Sequence, residues 1–268
     1  MRLLLALLLC LPCRAQIADS IRVAGPSERS INLVILGDGY TEEQFPKFRA
    51  DATNAFTALL AAFSTNDQPK INGTWVFRAS EESGCDDPAK GIVRDTAYNS
   101  GHDRHTPRLL GPDYWGTITA LGDAANVVRT NSVTAVIVNT TAYGGAGGMV
   151  LSASVHASSA EILRHELGHT FAGLADEYCT AYPGWVQREH PNSSTNRVNP
   201  PWLTITTNWV AGSQYNCTVW GRPFQECRMK TLGKPWCPVC ESHLAKVVRM
   251  KTGGGRPGLR RLSLEQAR

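Results

Sequence analysis

The chain offers no stretch long enough to cross a bilayer: its apolar run Leu3 to Leu11 covers about 10 residues, against the roughly 20 a spanning helix needs. No internal repeat is apparent, so a repeat array is not expected. A G-x-G-x-x-G phosphate cradle is missing as well, and Gly37 and Gly39 are therefore read as a tight turn. Charge of one sign is also scarce. Charged residues make up 19% of the chain, and the 27 basic residues less Arg2 and Arg14 face 23 acidic ones, a formal +2 for the part after residue 15. Basic residues concentrate only near the end, from Lys246 to Arg261. No nucleic-acid partner is inferred from so balanced a chain.

What is present is an ordinary globular composition, 42% hydrophobic in 268 residues, enough for a packed core. Met1-Arg2, the apolar run and Cys13-Arg14-Ala15 read as a secretory signal peptide over residues 1–15, which implies a secreted, extracytoplasmic protein with no stable membrane anchor. Residues 16–250 are read as one catalytic domain of two lobes and 251–268 as a basic, disordered tail.

After residue 15 there are six cysteines: Cys85, Cys179, Cys217, Cys227, Cys237 and Cys240. An even number behind a signal peptide favours disulfides, up to three, without fixing their pairing. The competing expectation is a structural zinc held by Cys237 and Cys240 with Cys217 and Cys227, although only one close-spaced pair is present.

The most informative stretch is His165-Glu166-Leu167-Gly168-His169. Side chains four apart on a helix share a face, so His165 and His169 can converge on one Zn²⁺ with Glu166 beside its water. Ser158 and Glu161 have capping-box spacing and place the helix start near Ser159. Leu163, Leu167 and Leu174 fall on the opposite side, towards a core. A catalytic zinc usually takes three protein ligands and keeps a fourth position open. Asp176 shares the histidine face, yet in a continuous helix it would lie roughly 10 Å along the axis from His169. Gly173 can end the helix in a left-handed conformation and let the chain return Asp176 to the metal. Glu177 and His190 are the alternatives for the third ligand.

Elsewhere Ile31 to Leu36 reads as a strand, Thr41 to Leu60 as helical, Asn72 to Ala79 as a strand, and Glu81 to Pro107 as a surface excursion with exposed His102 and His105. Ile118 to Val128 is helical in pattern and Val133 to Asn139 is a strand. Met149 to Ser154 is a strand placed to pair with an extended substrate. Beyond Tyr178, prolines and tryptophans indicate an irregular lobe, closed by a helix over Glu241 to Met250.

With these residues in view the chain resembles the immunoglobulin A peptidase family of zinc metalloendopeptidases. The likeness rests on Leu36-Gly37-Asp38-Gly39-Tyr40-Thr41, on His165 to His169 running to Asp176-Glu177-Tyr178, and on Cys227-Arg228-Met229-Lys230 with Cys237-Pro238-Val239-Cys240. It covers roughly Ile31 to Val248. Family members often carry a further domain before the G-D-G-Y-T segment. In the broader metzincin pattern a glycine and a third ligand fall where Ala172 and Ala175 stand here, one residue before Gly173 and Asp176. Met229 is a candidate for the methionine that underlies the zinc site in metzincin-like enzymes, the alternative being that it only fills the core.

The expectation is therefore an α/β fold: a mixed sheet with helices, including a zinc-binding active-site helix, followed by an irregular cysteine-containing lobe. The expected activity is that of a zinc-dependent endopeptidase on a protein or peptide substrate. One catalytic Zn²⁺ is held by His165, His169 and Asp176, and a metal-bound water attacks with Glu166 as general base. The alternatives are a secreted binding or adhesion module with a structural zinc, and a zinc hydrolase of non-peptide bonds.

Overall fold

The computed structural model describes residues 16–253 apart from Ala181 and Pro183. The signal peptide read over 1–15, and residues 254–268 of the expected tail, lie outside the described residues. No helix among the described residues is long and apolar enough to cross a membrane.

The chain runs β1 (Ile17–Arg22), β2 (Ile31–Asp38), α1 (Phe45–Leu60), β3 (Ile71–Phe77), β4 (Ser100–His102), β5 (Leu110–Pro112), α2 (Tyr114–Val127) and β6 (Ser132–Val138). It continues through β7 (Gly145–Ala146), β8 (Leu151–Ser154), α3 (Ser159–Ala172), β9 (Val210–Ser213), β10 (Asn216–Arg222) and α4 (Pro238–Lys251). Six strands form one mixed sheet in the order β1-β3-β2-β6-β8-β7, parallel at its centre and antiparallel at both edges. The fold is thus α/β with a mixed sheet, and a single disulfide, Cys179–Cys217, joins the described cysteines of the later lobe.

Every residue of β2 is buried, as a central parallel strand covered on both faces must be. Its alternation sorts the core: Ile31, Leu33 and Ile35 join the cluster that includes α1, α3 and α4, whereas Val34 and Leu36 face α2 with Tyr98 and Leu110. β2 ends on Asp38, fully buried, whose Oδ1 accepts from the amides of Gly39 at 3.0 Å and Tyr98 at 2.9 Å. Its Oδ2 accepts from Ser100 N at 2.8 Å and Thr96 Oγ1 at 3.1 Å. Gly39 turns the chain at φ +72°, and a Cβ there would meet Gly84 O at 1.8 Å. The G-D-G-Y-T segment therefore anchors the excursion after β3 rather than contributing reactive groups.

Two local expectations change. His102 is buried in β4 with Nδ1 2.7 Å from Pro107 O, so only His105 is an exposed loop histidine. Strand β8 is buried along its whole length and is covered by β7, with Gly145 opposite Ala153 and Ala146 opposite Ser152. A substrate cannot pair with β8 directly, because its outer edge is already taken.

Candidate metal centre and cleft

Helix α3 starts at Ser159 as the sequence suggests, but not through a capping box: Ser158 makes no side-chain cap, and Glu161 instead bonds the guanidinium groups of Arg164 and Arg228. Ile162, Leu163, Leu167 and Phe171 bury the inner face against the core. Gly173 ends the helix at φ 62°, ψ 30°, with its amide donating to His169 O at 3.0 Å.

Beyond Gly173 the chain is tied down residue by residue. Asn192 accepts from Ala175 N at 2.8 Å and donates to Ala175 O at 2.8 Å and to Glu177 Oε1 at 2.9 Å. Asp176 O accepts from Gln214 N and Ser213 Oγ, each at 3.0 Å, and Glu177 N donates to Met229 O at 2.8 Å. So held, Asp176 returns to the histidines, its Oδ1 3.1 Å from His165 Nε2 and 3.2 Å from His169 Nε2. The two Nε2 atoms are themselves 3.2 Å apart. Of the three candidates for the third position, the fold brings Asp176 to the histidines. Glu177 turns the other way, and His190 places Nδ1 2.8 Å from Gly173 O at the helix end.

The rings are oriented from behind. His165 Nδ1 donates to Arg228 O at 2.9 Å and His169 Nδ1 to Leu174 O at 2.7 Å, because a carbonyl oxygen can only accept. Each neutral ring then points a bare Nε2 lone pair at the same spot, beside a carboxylate oxygen of Asp176 that is buried and accepts no hydrogen bond. Such a trio repels unless a positive charge sits among it. A proton is one solution: burial disfavours charge on His169, but Asp176 and then Glu166 outweigh it and push its pKa up to about 9. Burial likewise works against Asp176, yet both histidines hold its carboxyl well below the usual range. A divalent metal is the other. Tetrahedral zinc with ligands at about 2.0–2.1 Å sets neighbouring donors about 3.3 Å apart, close to the 3.1–3.2 Å seen here.

Glu166 stands beside this trio, its carboxyl pushed up by burial against the opposing pull of His169 and His165. It packs over Gly147, where a Cβ would come within 2.7 Å of Glu166 Oε2. Under the helix, Met229 is fully buried, and a Cβ on Gly168 would meet its Sδ at 2.5 Å. The methionine thus lies directly against the H-E-x-x-H stretch.

Three contributors were not foreseen from sequence. Tyr215 donates to Asp176 Oδ2 at 2.6 Å and stands 3.1 Å from the Tyr178 hydroxyl. It arrives through a tight turn between β9 and β10 in which Gln214 and Tyr215 take φ 49° and 63°, a conformation uncommon for either residue type. Burial first, then Asp176, raises the pKa of both tyrosines, so they remain protonated donors. Arg108 joins Tyr178, Tyr215, His165 and Glu166 around a cavity of about 350 Å³.

A buried metal-type cluster opening onto a cavity, with an acidic side chain beside it, defines a hydrolase-like centre. Residues 20–209 match the sequence model of IgA Peptidase M64, and the chain belongs to this family. It is therefore a peptidase, a hydrolase of protein substrates, and the grouping of His165, Glu166 and His169, which could hold a metal ion, accords with a metal-dependent one. The match contains His165 to Tyr178 but stops before Cys227 to Lys230 and Cys237 to Cys240. No curated protein matches the chain.

Of the up to three disulfides expected, one is present among the described residues. Only Cys179 and Cys217 are joined, while Cys85, Cys227, Cys237 and Cys240 are buried thiols. Cys85 lies in the core cluster with Tyr98 and Leu110, far in the fold from the other three.

Proposed function

We propose that the protein is a zinc-dependent endopeptidase in which His165, His169 and Asp176 hold the ion and Glu166 is the general base. The observation that carries this reading is the convergence of two oriented Nε2 atoms on an orphaned buried carboxylate oxygen. When bound, Zn²⁺ supplies Lewis acidity towards a scissile carbonyl and acidifies water near neutrality.

The chain's own residues do the rest. Leu174 and Arg228 fix the imidazoles through their carbonyl groups, and Tyr215 holds Asp176 by its other oxygen. Glu166, with its raised pKa, takes a proton from the attacking water and returns it to the leaving amine. Arg108 and Tyr178 give the cavity wall donors for the substrate backbone and for charge developing on the carbonyl oxygen. Residues 1–15 support export, and N-terminal sequencing of the protein recovered outside the cell tests that part, with a start near Gln16 expected.

Glu166→Gln tests the mechanism. It keeps the shape and removes the base, so hydrolysis of a peptide library should fall by about 10²–10⁴ with the metal retained. Parent-like turnover by a metal-loaded variant would refute the assignment.

A further inference from the structure

We propose that Glu177, Cys227, Cys237 and Cys240 form a second metal site, a closed thiolate site that takes a soft divalent cation such as zinc and locks the frame of the cleft. One donor atom from each of the four lies within 4.8 Å of all the others. Three of the residues are fully buried and Cys237 is 4% exposed. They come from three separate places: the stretch after α3, the loop after β10, and the first turn of α4, where Cys237-Pro238-Val239-Cys240 puts two thiols on one helix start.

The spacings suit ligands around a cation. Cys227 Sγ is 3.6 Å from Cys240 Sγ, and Cys240 Sγ is 3.5 Å from Glu177 Oε1. Sulfur at about 2.3 Å and oxygen at about 2.0 Å from a tetrahedral zinc give edges of about 3.8 Å and 3.5 Å. A disulfide needs sulfurs at about 2.0 Å. The amide of Cys237 also donates to Cys227 Sγ at 3.3 Å, as amides around a thiolate ligand do.

Charge makes the same demand. Glu177 Oε1 is held by Asn192, but Oε2 is buried without any hydrogen-bond partner. The nearby guanidinium of Arg222 is used on the carbonyl oxygens of Ala211, Gly212 and Phe224. A buried carboxylate among three thiols is costly, and pairing two of the sulfurs would still leave a thiol and the carboxylate uncompensated. A dication satisfies all four at once. With every donor from protein and none facing the cavity, the site is structural rather than catalytic.

Its placement explains what it would hold. Glu177 follows Asp176, and Cys227 precedes Arg228, whose carbonyl orients His165. One ion would therefore join the two segments that position the cleft ligands, with the Glu177 to Met229 amide bond lying between them. Three of the four donors fall beyond the residues that the family model matches, and the inference is argued from their geometry.

The test is metal content by mass spectrometry on full-length protein purified anaerobically without added metal, for the parent and for His165→Ala/His169→Ala. Two zinc ions per chain are expected in the parent and one in the double variant. Cobalt substitution of the double variant should give a thiolate-to-cobalt charge-transfer absorption, which needs no cysteine variant to fold. A parent with one zinc that the double variant keeps would leave this site standing and remove the cleft assignment. A folded double variant with no metal and no charge-transfer band, or a disulfide among Cys227, Cys237 and Cys240 in the native protein, would overturn the second site.

Discussion

Asp176 and Glu177 are neighbours in sequence, both carboxylates and both buried, yet they serve different surroundings. Asp176 faces two imidazoles at 3.1 and 3.2 Å beside a cavity, and a hydroxyl donor, Tyr215, holds its second oxygen. Glu177 faces three thiols in a closed interior, with Asn192 on one oxygen and nothing on the other. The difference shows in their acidity: the histidines hold Asp176 well below the usual carboxylate range against the effect of burial, whereas burial and then Cys227 push Glu177 well above it. A carboxylate is made a ligand or a liability by its neighbours.

Removing Asp176 should break the comparison most severely. Asp176→Ala takes one of the three proposed donors from the cleft, and even outer partners of metal ligands are worth about 10–100-fold. Its zinc affinity, measured by competitive chelation, should fall by more than about 100-fold, and peptidase activity with it. Retention of parent affinity would remove Asp176 from the ligand set.

Tyr215→Phe acts one step back. It deletes the bond to Asp176 Oδ2 and should weaken cleft zinc by roughly 10–100-fold with the fold intact. An unchanged affinity would mean that the strained turn at Gln214 and Tyr215 serves packing alone. Asn192→Ala strikes both sides together, since its amide ties Ala175 and Glu177. Loss of these buried bonds should cost about 3 kcal/mol and lower Tm by roughly 6–12 °C. A shift under about 2 °C would show that the stretch after Gly173 is held elsewhere. Gly168→Ala should be mildest, about 1–3 kcal/mol by denaturant titration, because the added methyl meets Met229 and the Trp236 ring. No loss would mean that Met229 can move aside freely.

Much of this was legible because helical period is local. Four-residue spacing puts His165 and His169 on one face, and a glycine able to take positive φ gives the helix an end from which Asp176 can return. Beyond Gly173 the same reasoning fails. Helical geometry would already turn Glu177 about 100° away from Asp176, and it says nothing of where that side chain goes once the chain leaves the helix at Gly173. In the fold Glu177 reaches the cysteines and makes no contact with a histidine ring.

The cysteines misled for a related reason. An even count speaks of redox environment, whereas pairing depends on which elements meet, and only Cys179 and Cys217 do so as a disulfide. Strand β7 is two residues long and has no periodicity to read, so nothing in the sequence marked β8 as covered. Tyr215 carried no turn signature either, because Gln-Tyr is not among the dipeptides that favour positive φ. The central sheet was the easier part, as Ile31 to Leu36 and Val133 to Asn139 are apolar runs that match β2 and β6 closely.

The most direct test of the cleft is an anomalous difference map at the zinc edge from crystals of the purified protein. The account predicts a peak bonded to His165 Nε2, His169 Nε2 and Asp176 Oδ1, with Glu166 beside it and outside the ligand set. A peak completed by Glu177 or His190 in place of Asp176, or no peak between the two histidines, would contradict it.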